Sequence, residues 1–278
     1  MNPLRGVVVS GASSGIGAAT ALLLARSGYV AFAGVRSEAD AARLRAEHDN
    51  LRPAFLEVTD EASIAKAIRE ITSSGVDLIG VVSNAGIAEG GALEHIPVPA
   101  LRKLFDTNVV GALALVQAAL PHLPSPGGRV VFVGSIAGRL AMPYNAAYSA
   151  SKFALRAIAD GLRLELAPAG IAVSLIEAPS VDTPIWRKGA ESRERVVAAL
   201  GNAARPHYRP ALENLVRFVQ SQQGAGMPAE RVAQAILHAL SAPHPKARYV
   251  LGSAHGLNVL ALLPLRLRDR IVRTMQRL

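Results

Sequence analysis

Short, almost wholly apolar runs alternate along this chain with longer stretches whose apolar positions recur every three or four residues. The runs are GVVVS (6–10), YVAFAGV (29–35), RPAFLEV (52–58), DLIGVVS (77–83), GRVVFVG (128–134), IAVSLIE (171–177) and ARYVLG (247–252). Runs this short, bounded by turn residues, predict strands buried on both faces. Between them lie helical stretches: AATALLLARSG (18–28), a segment that Ser37 caps, EASIAKAIREI (61–71), and a long run from Pro97 to Leu123. Two more follow, from Tyr148 to about Leu166, where Pro168-Ala169-Gly170 ends it, and MPAERVAQAILHAL (227–240). Such alternation predicts one α/β domain, a doubly wound parallel sheet of about seven strands with helices on both faces.

Two regions depart from that rhythm. Residues 178–226 hold Thr183, Pro184 and Trp186 in a weakly patterned stretch, and 186–226 is expected to be a substrate lid over a core of 5–185. The tail, 255–278, is amphipathic at helical period, with Leu267, Ile271, Met275 and Leu278 on one face and arginines opposite. It reads either as core cover or oligomer contact, or as attachment to anionic lipid.

Composition narrows the function classes. A chain of 278 residues, 50% hydrophobic, buries a sizeable core. With no cysteine, disulfides, thiolate catalysis and zinc–thiolate sites are excluded, and the seven histidines show no metal-ligand spacing, so no metal is expected. No apolar run approaches the ~20 residues that span a bilayer. Only MNPLR precedes the first strand, so no secretory signal is expected and the default address is cytoplasmic. Of the net charge of +9, the last fifteen residues carry +4, from Arg266, Arg268, Arg270, Arg273 and Arg277 against Asp269. No basic block is interleaved with aromatics, so no nucleic-acid partner is expected.

Candidate chemistry gathers after the fifth strand. Ser135 sits at that strand's carboxyl end, and Tyr148 and Lys152 are spaced to share one helix face. A free phenol titrates near pH ~10, and lowering it to ~7 takes about 4 kcal/mol. A cation roughly 5 Å away at an effective dielectric near 20 supplies on the order of 3 kcal/mol. Lys152 is therefore expected to bring Tyr148 toward general acid/base range, with Ser135 bonding a substrate oxygen. The first strand runs through GASSGIG into a helix, where Gly11 permits a tight turn, Gly15 a close backbone approach and Gly17 close packing. The second strand ends at Arg36, a residue that suits a 2′-phosphate better than a bare ribose. Small residues in Asn84-Ala85-Gly86 let a flat ring lie against backbone.

Taken together, SGASSGIG (10–17), Asn84-Ala85-Gly86, Asn108 in DTNVVG, Ser135 in GSIAG and YSASK (148–152) resemble, in order and spacing, the short-chain dehydrogenase/reductase family. The resemblance implies a Rossmann-like sheet and hydride transfer between NAD(P)H and a carbonyl or secondary alcohol. Tyr148 would be the acid/base, Lys152 would bind ribose hydroxyls and tune it, Ser135 would hold the substrate oxygen, and Asn108 would join a water-mediated proton relay. Cofactor contacts would come from Gly11, Ser13, Ser14, Gly15, Ile16, Gly17, Arg36, Glu57, Val58, Asn84, Ala85, Gly86, Val181 and Thr183. The motifs are most similar to the 17β-hydroxysteroid and retinol dehydrogenase branch, which implies an apolar ketone or alcohol met by Leu140, Met142, Pro143 and Trp186. Several departures stand out: Ser10 for the usual Thr, Glu57 for Asp, Ser14 where some NADP-preferring members are basic, and Ala178-Pro179 for Pro-Gly. NADP(H) is favoured over NAD(H), and a homodimer or homotetramer is expected. Alternatives are a catalytically silent NAD(P)-binding sensor and an NAD(H)-dependent dehydrogenase of a small hydroxy compound.

Overall fold

The computed structural model describes residues 4–184, 206, 208, 210–211, 213–214, 217, 226–252 and 260–276. Seven parallel strands form one sheet: β1 (Arg5–Val9), β2 (Val30–Val35), β3 (Leu51–Phe55), β4 (Asp77–Ser83), β5 (Arg129–Val133), β6 (Ala172–Glu177) and β7 (Arg248–Val250). Their order is β3-β2-β1-β4-β5-β6-β7, so the winding reverses between β1 and β4. The carboxyl ends of those two strands flank the crevice where such sheets bind ligands.

Side chains leave each strand on alternate faces, and the core divides accordingly. Val7 and Val9 face one cluster with α1 (Gly15–Arg26), α2 (Glu38–Arg45) and α7 (Ala229–Ser241), through Leu24, Leu44 and Ile236. Val8 faces the other, which holds Ile64 and Ile68 of α3 (Glu61–Thr72), Leu115 of α5 (Gly111–Ala119) and Leu155 of α6 (Ala146–Glu165).

Three expectations are corrected. β3 ends at Phe55 rather than Val58: Leu56 N–H makes one more bond to Val35 O at 2.9 Å, and Glu57 N–H then turns to Ser63 Oγ. The run from Pro97 is α4 (Val98–Phe105), a π turn over Asp106–Val110, and then α5. Val98–His122, 25 residues, is long and apolar enough by composition to cross a membrane, contrary to the sequence expectation. One side of it is buried in the domain, through Leu104, Ala112, Leu115, Val116 and Ala119. The tail forms α8 (Leu265–Gln276), whose inner side covers Leu140 as a core-capping element. Trp186, most of the expected lid and Leu278 lie outside the described residues.

Candidate active site

At the winding reversal, Ser10 ties two strand ends together. Its Oγ accepts from the N–H groups of Asn84 and Ala85, both at 3.0 Å, while Asn84 Nδ2 donates to Ser10 O at 2.9 Å and Gly11 O at 3.1 Å. Serine thus performs this closure where the family pattern has threonine. Gly11 has φ +63°, and a Cβ there would lie 2.9 Å from Ala85 Cα. A Cβ at Gly17 would run into the Gly11 carbonyl. Ser14, at the N-cap of α1, makes no side-chain cap and the first turn holds no acid, so its N–H groups suit an anion. A cradle that any Cβ would fill, opening on an uncapped helix end, fits a dinucleotide's pyrophosphate. Thr183 closes over it, its Cγ2 2.8 Å from the Cβ position of Gly15. Ile16 packs on the core beneath, and Val181 is buried in the same cluster.

The adenosine end differs from expectation. Arg36 Nη1 lies 3.1 Å from Glu57 Oε2, with the guanidinium 69% exposed. Glu57 also accepts from Thr59 N–H and Oγ1, at 3.1 and 3.0 Å. Burial pushes the Glu57 carboxyl up, but hydrogen bonds from Thr59 and Arg36 outweigh it and hold it below the usual range. Its carboxylate is thus engaged locally, while Val58 is buried and its carbonyl abuts Gly111. Arg43, on α2, reaches the glycine loop, its Nη2 donating to Ser13 O at 2.6 Å. Sequence reading missed it because a helical arginine with Glu47 four residues on looks like a solvated pair.

Ser135, Tyr148 and Lys152 converge. A short 3-10 turn, Ile136–Gly138, leads from Ser135 onto α6, and a Cβ at Gly138 would lie 2.8 Å from Lys152 O. Ser135 Oγ accepts from Ala137 N–H at 3.1 Å and its side chain is hydrogen-bonded to Tyr148. Lys152 Nζ sits 5.7 Å from the Tyr148 ring centre and donates to Val133 O at 3.0 Å. The Ala178-Pro179 departure leaves this geometry intact, because Ile136 N–H still bonds Ala178 O at 3.0 Å. Burial pushes the Tyr148 phenol up to about 12, against the lowering contact with Ser135. Burial likewise pushes Lys152 down to about 8. The expected lowering of the phenol is therefore reversed: desolvation raises it more than the hydrogen bond with Ser135 lowers it.

Lys152 carries a stability consequence. Its pKa is lowered on folding, so the unfolded chain binds more protons between pH 8 and 10.5 and folding strengthens as pH rises. The cofactor-free protein should gain about 2 kcal/mol between pH ~8 and ~10 in urea titrations, and Lys152→Met should remove that rise. An identical slope in both proteins would contradict the burial argument.

Asn108 lies in the π turn, 1% exposed. It clasps Ile87 through both backbone groups, accepting at 2.8 Å and donating at 3.0 Å, and donates to Ser151 Oγ at 3.1 Å. Ser151 in turn donates to Tyr148 O at 2.7 Å, so the Asn108 side chain links the Asn84-Ala85-Gly86 loop to α6. Gly86 itself presents its face to Asn108 Oδ1 and Lys152 Nζ, 3.4 and 3.8 Å from a Cβ position.

On the substrate side, Leu140 packs with Leu260 and Val272, and Met142 joins them. Leu140 is thus buried in that cluster, and Pro143 is half-buried. An aromatic group was not foreseen: Tyr208 stands edge-on to His95 at 5.4 Å and to Tyr144 at 6.3 Å, and donates to Glu94 at 2.7 Å. Tyr144 has φ +60°, a costly conformation for a non-glycine residue, four positions before Tyr148.

A buried ion pair supports the Ser135 loop from behind. Arg139 Nε donates to Glu177 Oε1 at 2.8 Å, with Glu177 only 1% exposed. Removing one partner strands a buried charge, so Glu177→Leu should cost about 3–5 kcal/mol in urea unfolding. The double change Arg139→Met with Glu177→Leu should recover most of it, and additive losses would refute that reading.

The family model described as short chain dehydrogenase matches residues 5–194. An NADPH-dependent 3-dehydrocapnine reductase of Ornithobacterium rhinotracheale is 32% identical over 281 residues, covering 96% of each chain. Human 17-beta-hydroxysteroid dehydrogenase type 1 is 34% identical over 254 residues, 87% of this chain and 76% of that one. A Burkholderia phymatum short chain dehydrogenase/reductase, solved in complex with NAD, superposes at TM-score 0.78 with 24% identity, over 98% of this chain and 95% of that one.

Proposed function

Because this chain belongs to the short-chain dehydrogenase/reductase family, and so is an oxidoreductase that binds NAD(P), we propose that it acts on an apolar ketone or secondary alcohol, steroid-, retinoid- or lipid-like, with NADP(H). The observation that carries the reading is the convergence of Ser135, Tyr148 and Lys152 beside the Gly11–Gly17 cradle. The nicotinamide supplies or accepts hydride when bound. Ser135 Oγ holds the substrate oxygen, and Tyr148, hydrogen-bonded to Ser135, exchanges the proton at that same oxygen. A phenol pushed up to about 12 is protonated at neutral pH and so is poised to donate to a forming alkoxide. Lys152, at about 8, is mostly charged at pH 7 and stabilises negative charge on the phenol oxygen. Asn108 and Ser151 hold α6 against the Gly86 loop, and Thr183 closes the cradle.

An apolar substrate is supported by the aromatic pair Tyr144 and Tyr208, the former four residues before Tyr148, and by the steroid in the name of one relative. Exposed Val110 at the end of the π turn and Phe153 and Leu164 on α6 support a second copy of this chain as partner. NADP(H) preference rests on Arg36, with Arg43 close behind. The Glu57 contact favours a second reading in which NAD(H) is also accepted, because a carboxylate already occupies Arg36.

A panel of ketones and secondary alcohols graded in size and polarity, assayed with each nicotinamide, tests the proposal. Turnover rising with apolar surface, and faster with NADPH, is expected. Nucleotide binding without turnover on any member would favour the silent sensor, and turnover confined to small polar hydroxy compounds would reject the substrate class.

A further inference from the structure

We propose that the outer face of α8 docks on an anionic phospholipid surface. The helix has two differently used sides. Inward, Val272 and Ile271 pack with Leu140, Leu260, Leu263 and Met142. Outward, Arg266, Arg270 and Arg273 follow one another at i, i+4 and i+7, all exposed, and share a shallow groove with Asp269 and Thr274. Asp269 lies 3.8 Å from Arg268, and none of the three outer arginines has a carboxylate partner among the described residues. Leu265 and Leu267 of α8 are 60% and 47% exposed, and Leu262, just before the helix, is 86% exposed. A helix whose apolar needs are met inward has no use within the domain for three bare leucines. Arginines at headgroup level with leucines reaching the acyl boundary are what an interfacial helix presents.

Other occupants match only half of this surface. A symmetric contact with a second copy would set two rows of unpaired arginines against each other. Nucleic acid would satisfy the arginines and leave the leucines in water. An anionic bilayer satisfies both. The inner side of α8 rests on Leu140 and Met142 in the loop between Ser135 and Tyr148, so in the docked state the helix stands between that loop and the lipid. The docking does not rest on the apolar-substrate reading.

The test is co-sedimentation of the full chain with vesicles of neutral phosphatidylcholine and with vesicles containing phosphatidylglycerol, at low and high salt. Two variants are compared with the native protein. One is Arg266→Gln with Arg270→Gln and Arg273→Gln; the other is Leu262→Ser with Leu265→Ser and Leu267→Ser. Unchanged far-UV circular dichroism and melting temperature report retained fold. Binding is expected only with anionic vesicles, weakened by salt, lowered roughly 10²-fold by the arginine changes and clearly lowered by the leucine changes. No native binding at low salt, equal binding to neutral vesicles, or native-like binding by the arginine variant would each overturn the proposal. So would a smaller assembly for either variant in sedimentation velocity, which would assign the face to a second copy. Binding to duplex DNA that survives the leucine changes and matches vesicle binding in strength would assign it to polyanions generally. Failed docking with intact turnover on apolar ketones rejects only the surface; docking without such turnover rejects only the substrate class.

Discussion

Replacing Tyr148 with phenylalanine is expected to lower kcat by at least about 10²-fold while leaving NADPH binding within about twofold of the native value. The substitution deletes one oxygen and keeps the ring, so the contact with Lys152 Nζ, 5.7 Å from the ring centre, and the packing of α6 are retained. What is lost is the proton at the atom bonded to Ser135. With the phenol held at about 12, that proton stays in place throughout the neutral range, and its transfer to an alkoxide is downhill. Water can replace it only without the positioning that Ser135 enforces. Ser135→Ala should lose less, because an orienting hydrogen bond disappears and the donor remains. Steady-state kinetics beside a nucleotide-fluorescence titration separates chemistry from binding. Near-native turnover by Tyr148→Phe would remove Tyr148 from the mechanism.

The fold was legible because burial on both faces writes itself as unbroken apolar runs. GVVVS and YVAFAGV leave little other than inner parallel strands, and the helical stretches between them carry the 3.6-residue period. The boundaries were less legible, since apolar residues continue past the last ladder bond: Leu56 and Val58 are buried, but beyond β3. The interruption at Asn108 was hidden because a π turn adds one residue to a helical path without needing proline or glycine. In the site, Ser135, Tyr148 and Lys152 were visible through spacing along two adjoining elements. Arg139 with Glu177, 38 residues apart, and Tyr208 with Glu94, 114 apart, were not, because pairing across the sheet edge has no local signature. The protonation of Tyr148 was misread for a related reason. The sequence shows the neighbouring ammonium, whereas the desolvation that raises the phenol depends on everything packed around it.

The second large effect concerns cofactor choice. Arg36→Asp is expected to shift the ratio of kcat/KM for NADPH over NADH by about 10²-fold toward NADH. Arg36 closes β2, and its guanidinium is exposed enough to meet a 2′-phosphate arriving from solvent. An aspartate there would repel that phosphate and accept bonds from a ribose hydroxyl instead, so both halves of the exchange move the ratio the same way. Glu57 refines the prediction. Its carboxyl is held below the usual range, so it is ionised at every pH of interest and competes with the phosphate for Arg36. Glu57→Gln removes that competitor and should tighten NADPH about fivefold while leaving NADH nearly unchanged. Raising ionic strength should weaken NADPH more than NADH in the native protein and lose this difference in Arg36→Asp. If the native protein uses both nucleotides equally, or if Arg36→Asp leaves the ratio where it was, Arg36 does not read the phosphate. Arg43, which already touches Ser13 of the glycine loop, would then be the next residue to change.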